Sequence, residues 1–314
     1  MWKNMKYNKS FWIIATLFAV SLAIVLTSLS NAENIVGDNY RNVTVHTYVN
    51  ITNARPEVLL VKVYQDTNLS ALNITLSAGS QRQITCNASL RDWNGYNDIV
   101  GVNATLWHST STQEAADNNN THYTNSTCTS TGNGVNYTVN YICGFPVYYY
   151  ANNGTWNCIV TVIDQAGKTG NNTNTTTIYP LYALNVTDGI DYGNVAVEEW
   201  SVNKTANITN FGNMPLNVSV EGYGANRGDG LAMNCSVNGN ITVGMERFSI
   251  ADVDWTSMTS LTSAPQNLSG LTLSKQTVPG TQIINTTYWQ LYVNVSNNPA
   301  GNCTGYILFS AETS

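Results

Sequence analysis

Residues 154–167 read GTWNCIVTVIDQAG. Trp156, Cys158, Val160 and Val162 fall on one parity, and Asn157, Ile159, Thr161 and Ile163 on the other. The run is rich in β-branched residues and closes on Asp164-Gln165-Ala166-Gly167, so it predicts a strand followed by a turn. A cysteine that shares a face with a tryptophan and two valines points into a core. Residues 83–90, QITCNASL, repeat the arrangement: Ile84, Cys86, Ala88 and Leu90 share one face and Asn87 lies on the other. Two inward cysteines on different sheets of a sandwich can bridge across the core, with Trp156 packed beside the sulfurs.

The chain has six cysteines, Cys86, Cys128, Cys143, Cys158, Cys235 and Cys303. None forms a CxxC pair or sits near a histidine, so the set reads as disulfides of an exported protein rather than as a zinc site. If Cys86 meets Cys158, then Cys128 and Cys143 pair locally across TSTGNGVNYTVNYIC, although four cysteines allow three pairings. Cys235 and Cys303 fall in the second half of the chain, which suits two separately closed domains.

The N-terminus sets the topology. Lys3, Lys6 and Lys9 precede an uncharged run from Ser10 to Ser30, and no acid appears before Glu33. A basic flank stays in the cytoplasm, so everything after the apolar run is exported. Residues 1–32 therefore read as a signal peptide, with small residues at Ser30 and Ala32 for cleavage, or as an uncleaved membrane anchor.

The rest of the chain is weakly charged. Charged residues make up 10%, against about 25% in a typical soluble domain. The net charge of −6 leaves no electrostatic footprint for nucleic acid. Only three histidines, His46, His108 and His122, are available for metal or acid–base chemistry.

From residue 33 to about 180 nearly every segment alternates. VTVHTYVNI, LLVKVYQ, ALNITLSAG, RQITCNASL, VGVNATLWHS, NYTVNYICGF, WNCIVTVID and NNTNTTTIYP are strand-like, and no stretch carries a helical period. Short strands at this spacing predict an all-β sandwich. ITCNASLRDWNGYNDIVGVNATL and GTWNCIVTVIDQAGKTG together resemble immunoglobulin-like domains of archaeal and bacterial surface proteins. Shared features are a strand-B cysteine, a Gly-aromatic-x-Cys strand F and an F–G turn built on Asp and Gly. Trp156 stands where such domains often carry a tyrosine, and Trp107 falls on the outward parity of its strand.

The pattern restarts over 181–314, the second predicted β-sandwich. ALNVTDGIDYGNVAVEEWSVNKTANITNFGNMPLNVSVEGYG resembles the opening of envelope sandwiches of the ASPM/SPD-2/Hydin type, with Phe211-Gly212-Asn213-Met214-Pro215 as a tight turn between two strands. YWQLYVNVSNNPAGNCTGYILFSAETS resembles the terminal hairpin of such domains. Residues 252–281 are Ser/Thr-rich and show no clear pattern.

Asn-x-Ser/Thr recurs far more often than a random ordering of these residues would give, including at Asn42, Asn50, Asn87, Asn103, Asn136, Asn207, Asn217 and Asn294. At Asn87, Asn217 and Asn294 the asparagine opposes an apolar face, the last facing away from Trp289, Leu291, Val293 and Val295. This predicts N-glycans on an exported protein.

Residues 92–98, DWNGYND, place Asp92, Asn94, Asn97 and Asp98 around Gly95. The stretch reads as an Asn-Gly turn held by side-chain hydrogen bonds, or as a calcium loop without the distal Glu of an EF-hand. Arg227-Gly228-Asp229 reads as a turn. No Gly-x-Ser-x-Gly and no facing pair of carboxylates is evident, so the chain is not expected to be an enzyme. Two functions remain. The first is a structural or adhesive envelope glycoprotein whose partners are other surface proteins, glycans or its own copies, with the membrane reached through residues 1–32 if uncleaved. The second is a sugar- or protein-binding module using Tyr148-Tyr149-Tyr150 and Trp93 gathered in loops.

Overall fold

A computed structural model describes residues 45–66 and 73–313. The predicted export segment (1–32) and Asn42 lie outside the described residues. The chain divides into two units, Met1–Thr52 and Asn53–Ser314. In the first unit residues 45–51 form no strand, and Val45, Tyr48, Val49 and Ile51 are exposed. The expected strand VTVHTYVNI is thus absent over these residues. Alternation qualifies a segment for a sheet, but a strand exists only where a neighbour takes up its N–H and C=O groups.

The second unit is all-β and holds two sandwiches. In the first, the strands are β1 (Glu57–Gln65), β2 (Asn73–Ile74), β3 (Gln81–Arg91), β4 (Ile99–His108), β5 (His122–Asn125), β6 (Thr129–Ser130), β7 (Thr138–Tyr148), β8 (Gly154–Asp164) and β9 (Thr169–Ile178). One sheet runs β1-β3-β7-β6 and the other β2-β9-β8-β4-β5. This is the A-B-E-D and C-F-G layering of immunoglobulin-type sandwiches, with β3 as strand B and β8 as strand F.

Parity selects the core. Ile84, Cys86, Ala88 and Leu90 on β3, and Trp156, Cys158, Val160 and Val162 on β8, are all fully buried in one cluster. Cys86 and Cys158 are joined between the sheets with their Cα atoms 6.6 Å apart. Cys128 is joined to Cys143 on β7. The Trp156 ring lies in the core and its Nε1–H donates to the Asn152 carbonyl at 2.7 Å.

The second sandwich comprises β10 (Leu184–Val186), β11 (Glu199–Trp200), β12 (Lys204–Asn210), β13 (Leu216–Tyr223), β14 (Leu231–Cys235), β15 (Asn240–Thr242), β16 (Glu246–Ser249), β17 (Thr259–Ser260), β18 (Gln266–Leu273), β19 (Ile284–Val293), β20 (Cys303–Thr304) and β21 (Tyr306–Thr313). A sheet ordered β10-β12-β19-β16-β17, with β11 also on β19, faces a sheet ordered β18-β13-β21. Trp289, fully buried, packs its ring 5.5 Å from Phe248 and 5.7 Å from Phe309, filling the space between them. A small sheet β15-β14-β20 carries Cys235 opposite Cys303, and the two are joined. Val295 lies beyond the end of β19 and is exposed, so it does not continue the buried face of Trp289, Leu291 and Val293.

The FGNMP turn does more than connect β12 to β13. Gly212 lies so close to the Leu181 carbonyl that any side chain there would collide with it. Asn213, buried, accepts the Leu181 N–H at 2.7 Å and donates to the Tyr179 carbonyl at 3.1 Å. The Phe211 carbonyl accepts the Gly79 N–H at 3.2 Å, and its ring packs 5.6 Å from Tyr149. A turn belonging to the second sandwich is therefore seated on the first.

Candidate functional site

Three places gather side-chain chemistry. The first is the junction of the two sandwiches. Lys275, just past β18, extends its ammonium group into the first sandwich. There it donates to Asn120 Oδ1 at 2.9 Å, to the Tyr150 carbonyl at 3.1 Å and to Asn152 Oδ1. The buried Gln276 accepts the Tyr149 hydroxyl through Oε1 and donates to the Val278 carbonyl at 2.6 Å. Burial pushes the Lys275 pKa down to about 8. The segment 252–281, patternless as sequence, thus supplies the clamp between the sandwiches. Replacing Lys275 and Gln276 by alanine strands the oxygens they serve, at a cost of about 2 kcal/mol or more. Scanning calorimetry is expected to resolve two transitions for this double variant where the native protein gives one; a single unshifted transition would show that the clamp does not couple the sandwiches.

The clamp also corrects the expected binding surface. Tyr149 and Tyr150 are buried at the junction. Trp93 stands at the other end of the sandwich, because β3 pairs with β7 from Gln81 opposite Tyr148 to Arg91 opposite Thr138. Trp93 packs instead on Tyr137 at 5.3 Å, beneath the Arg91 guanidinium at 4.5 Å. Antiparallel pairing over the full strand length keeps Trp93 and the three tyrosines apart.

The second place is that far end. Asp92 follows β3, Asp98 closes the short turn Tyr96–Asp98 before β4, and Asp164 ends β8. One carboxylate oxygen from each lies within 4.8 Å of the others. Asp92 and Asp164 are buried and Asp98 is half-buried. Asp92 Oδ1 accepts the Asn94 N–H at 2.8 Å. Asp164 accepts the Lys168 N–H on Oδ1 and the Asn53 side-chain amide on Oδ2, both at 2.7 Å. The buried Oδ2 atoms of Asp92 and Asp98 have no hydrogen-bond partner. Loss of water raises the Asp92 pKa, and the charges of Asp98 and Asp164 raise it further. Among the described residues the ion pairs are Arg82–Asp66, Arg91–Glu57, His122–Asp117 and Arg227–Glu221, so no basic side chain offsets the cluster.

Of the oxygen side chains expected around Gly95, the structure brings Asp92 and Asp98 together but not Asn94 or Asn97. Both asparagines are exposed, and Asn94 Oδ1 is taken by the Ala54 N–H at 2.7 Å. Asp164 was missed. It reads as an ordinary turn residue, although it lies six positions past Cys158, as Asp92 lies six past Cys86. An even spacing keeps each carboxylate on the inward face of its strand.

The third place is an aromatic cluster on the second sandwich, with Trp200 exposed and Tyr292 and Trp255 half-buried. Trp200 of β11 lies 4.9 Å from Tyr292 of β19, and Tyr292 lies 6.2 Å from Trp255. Trp255 is capped at 4.5 Å by the Arg247 guanidinium. Glu198 accepts the Tyr292 hydroxyl at 2.5 Å and the Val295 N–H at 2.7 Å, which fixes the ring.

The sequon asparagines differ in exposure. Asn50, Asn136 and Asn207 are exposed, whereas Asn87, Asn103, Asn217 and Asn294 are half-buried. In the Arg-Gly-Asp turn, Asp229 accepts four backbone N–H groups, from Gly224, Ala225, Asn226 and Leu231, and these hold its carboxyl far below the usual range. Arg227 pairs with the buried Glu221. Asp229 thus holds the turn itself, and Arg227 ties the turn to β13.

No protein-family model matches the chain, and no curated protein matches it. Solved structures resemble it loosely. The CsuC–CsuE chaperone–tip adhesion subunit complex of the archaic chaperone-usher Csu pili of Acinetobacter baumannii aligns with 76% of this chain and 96% of its own, at 12% identity and a TM-score of 0.36. A chaperone–tip adhesin complex of CFA/I fimbriae aligns with 81% of this chain and 84% of its own, at 10% identity and a TM-score of 0.30. A carbohydrate-binding module of the β-sandwich superfamily aligns with 83% of this chain and 98% of its own, at 11% identity and a TM-score of 0.24. Likeness at this level carries no functional argument, so function rests on the chain's own residues.

Proposed function

We propose that this chain is an exported, N-glycosylated structural or adhesive protein of the cell surface, without catalytic activity. The observation that carries the reading is the joining of all six cysteines in three disulfides. Such bonds persist in oxidising compartments and are kept reduced in the cytosol. The clamp at Lys275 and Gln276 supports a mechanical role, since it makes one body of two sandwiches. The exposed sequons at Asn50, Asn136 and Asn207 are the favoured glycan sites. Trp200, Tyr292 and Trp255 form the adhesive face toward glycans or neighbouring surface proteins, because neighbouring rings offer apolar area with polar edges. In support of a non-catalytic role, both ring nitrogens of His108 and of His122 are engaged by nearby loop groups.

Intact-mass measurement of the native protein, before and after deglycosylation and reduction, tests this. The expected result is a glycan mass excess, with the greatest occupancy at the exposed sequons, and thiols that become alkylatable only after reduction. A bare polypeptide with thiols free before reduction would overturn the reading.

A further inference from the structure

We propose that Asp92, Asp98 and Asp164 bind a divalent cation, Ca2+ by preference, at the end of the first sandwich where residues 53–56 lead into β1. Oxygens bound to one Ca2+ at about 2.4 Å lie no more than about 4.8 Å apart, and one oxygen from each carboxylate meets that limit. The independent sign of a ligand is Asp92. It is fully buried, yet its Oδ2 has neither a donor nor a basic neighbour among the described residues, and Asp98 Oδ2 beside it is in the same condition. A buried carboxylate oxygen is retained where a donor or a cation meets it. An all-oxygen, carboxylate-rich set selects a hard cation. Carboxylates drawn from a loop, a short turn and a strand end suit the irregular shell of Ca2+ better than the strict octahedron of Mg2+.

The bound ion has a structural consequence. It joins the β3–β4 loop to the end of β8, to both of which the leading segment is already tied through Ala54 on Asn94 and Asn53 on Asp164. The cluster sits on the same two strands as the Cys86–Cys158 bond, so the ion braces the end of the sandwich that the disulfide holds at its centre. The inference rests on the carboxylate geometry and is independent of the surface reading above.

The test uses the full chain with its disulfides intact. Its unfolding temperature is followed in chelator and in millimolar CaCl2 or MgCl2, alongside Tb3+ luminescence excited through Trp93 and Tyr96. Ca2+ is expected to raise the unfolding temperature by several degrees, more than Mg2+ does, and to displace Tb3+. Asp92→Asn and Asp98→Asn are each expected to weaken Ca2+ binding about tenfold or more and to flatten the thermal response. Asp188→Asn, at an exposed site, leaves both readouts unchanged. If Asp92→Asn does not fold, the half-buried Asp98→Asn decides. No Ca2+ response in the native chain, or a full response in Asp98→Asn, overturns the proposal.

Discussion

Replacing Cys86 and Cys158 together by alanine is expected to destabilise the protein by about 4 kcal/mol. The bond closes a loop with a sequence separation of 72. On the chain-entropy model, opening a loop of that length frees the unfolded chain by about 4 kcal/mol. The two sulfurs are fully buried between β3 and β8, so the alanines also leave a small void against Trp156. For a chain of this size the unfolding temperature should fall by roughly 8–16 °C. Chemical denaturation of the variant beside the native protein measures it. A loss below about 1 kcal/mol would mean that the sheets are held by apolar burial alone. The same variant should weaken the acidic end, since Asp92 directly follows one of the two strands that the bond connects and Asp164 ends the other.

Glu246→Gln is expected to remove much of the protein's loss of stability between about pH 4.5 and pH 7. Glu246 is buried in the second sandwich, and its Oε1 accepts the Tyr192 hydroxyl at 2.6 Å. Burial pushes its pKa up to about 7 from an ordinary 4.5, with the Tyr192 hydrogen bond opposing the rise. Between those two values the folded state holds a proton that the unfolded state has released, so stability falls as pH rises. The contribution is largest below about pH 4.5 and is gone once pH has passed through about 7. A shift of this size corresponds to something on the order of 3 kcal/mol. Glutamine keeps an acceptor for Tyr192 and carries no charge. Urea midpoints at pH 5 and pH 8 should therefore differ less in the variant, which should be the more stable protein at pH 8. Equal pH slopes in the two proteins would show that Glu246 is solvated in the folded state.

The alternation of QITCNASL and WNCIVTVID placed eight core residues correctly, and the same parity set Cys86 against Cys158. The FGNMP turn was readable as a turn, but not as the seat of the junction. VTVHTYVNI shows the opposite failure, because its alternation is clean and yet residues 45–51 make no strand. The junction was hidden for a simple reason: Lys275 and Gln276 sit in a run with no period, and their partners lie more than a hundred residues away. The acidic site was half visible. Asp92 and Asp98 are near neighbours in the chain, whereas Asp164 joins them only through the packing of two sheets.

By itself the sequence determined the all-β class, which face of QITCNASL and of WNCIVTVID is buried, and that the six cysteines read as disulfides. These properties follow from a two-residue period and from residue chemistry, both of them local. Only the tertiary structure decided which carboxylates converge, which tyrosines are sealed in the junction and which aromatic rings remain outside. Those outcomes depend on strand order and on how one sandwich is seated on the other, and contacts between distant residues leave no periodic trace in either partner's own stretch of chain.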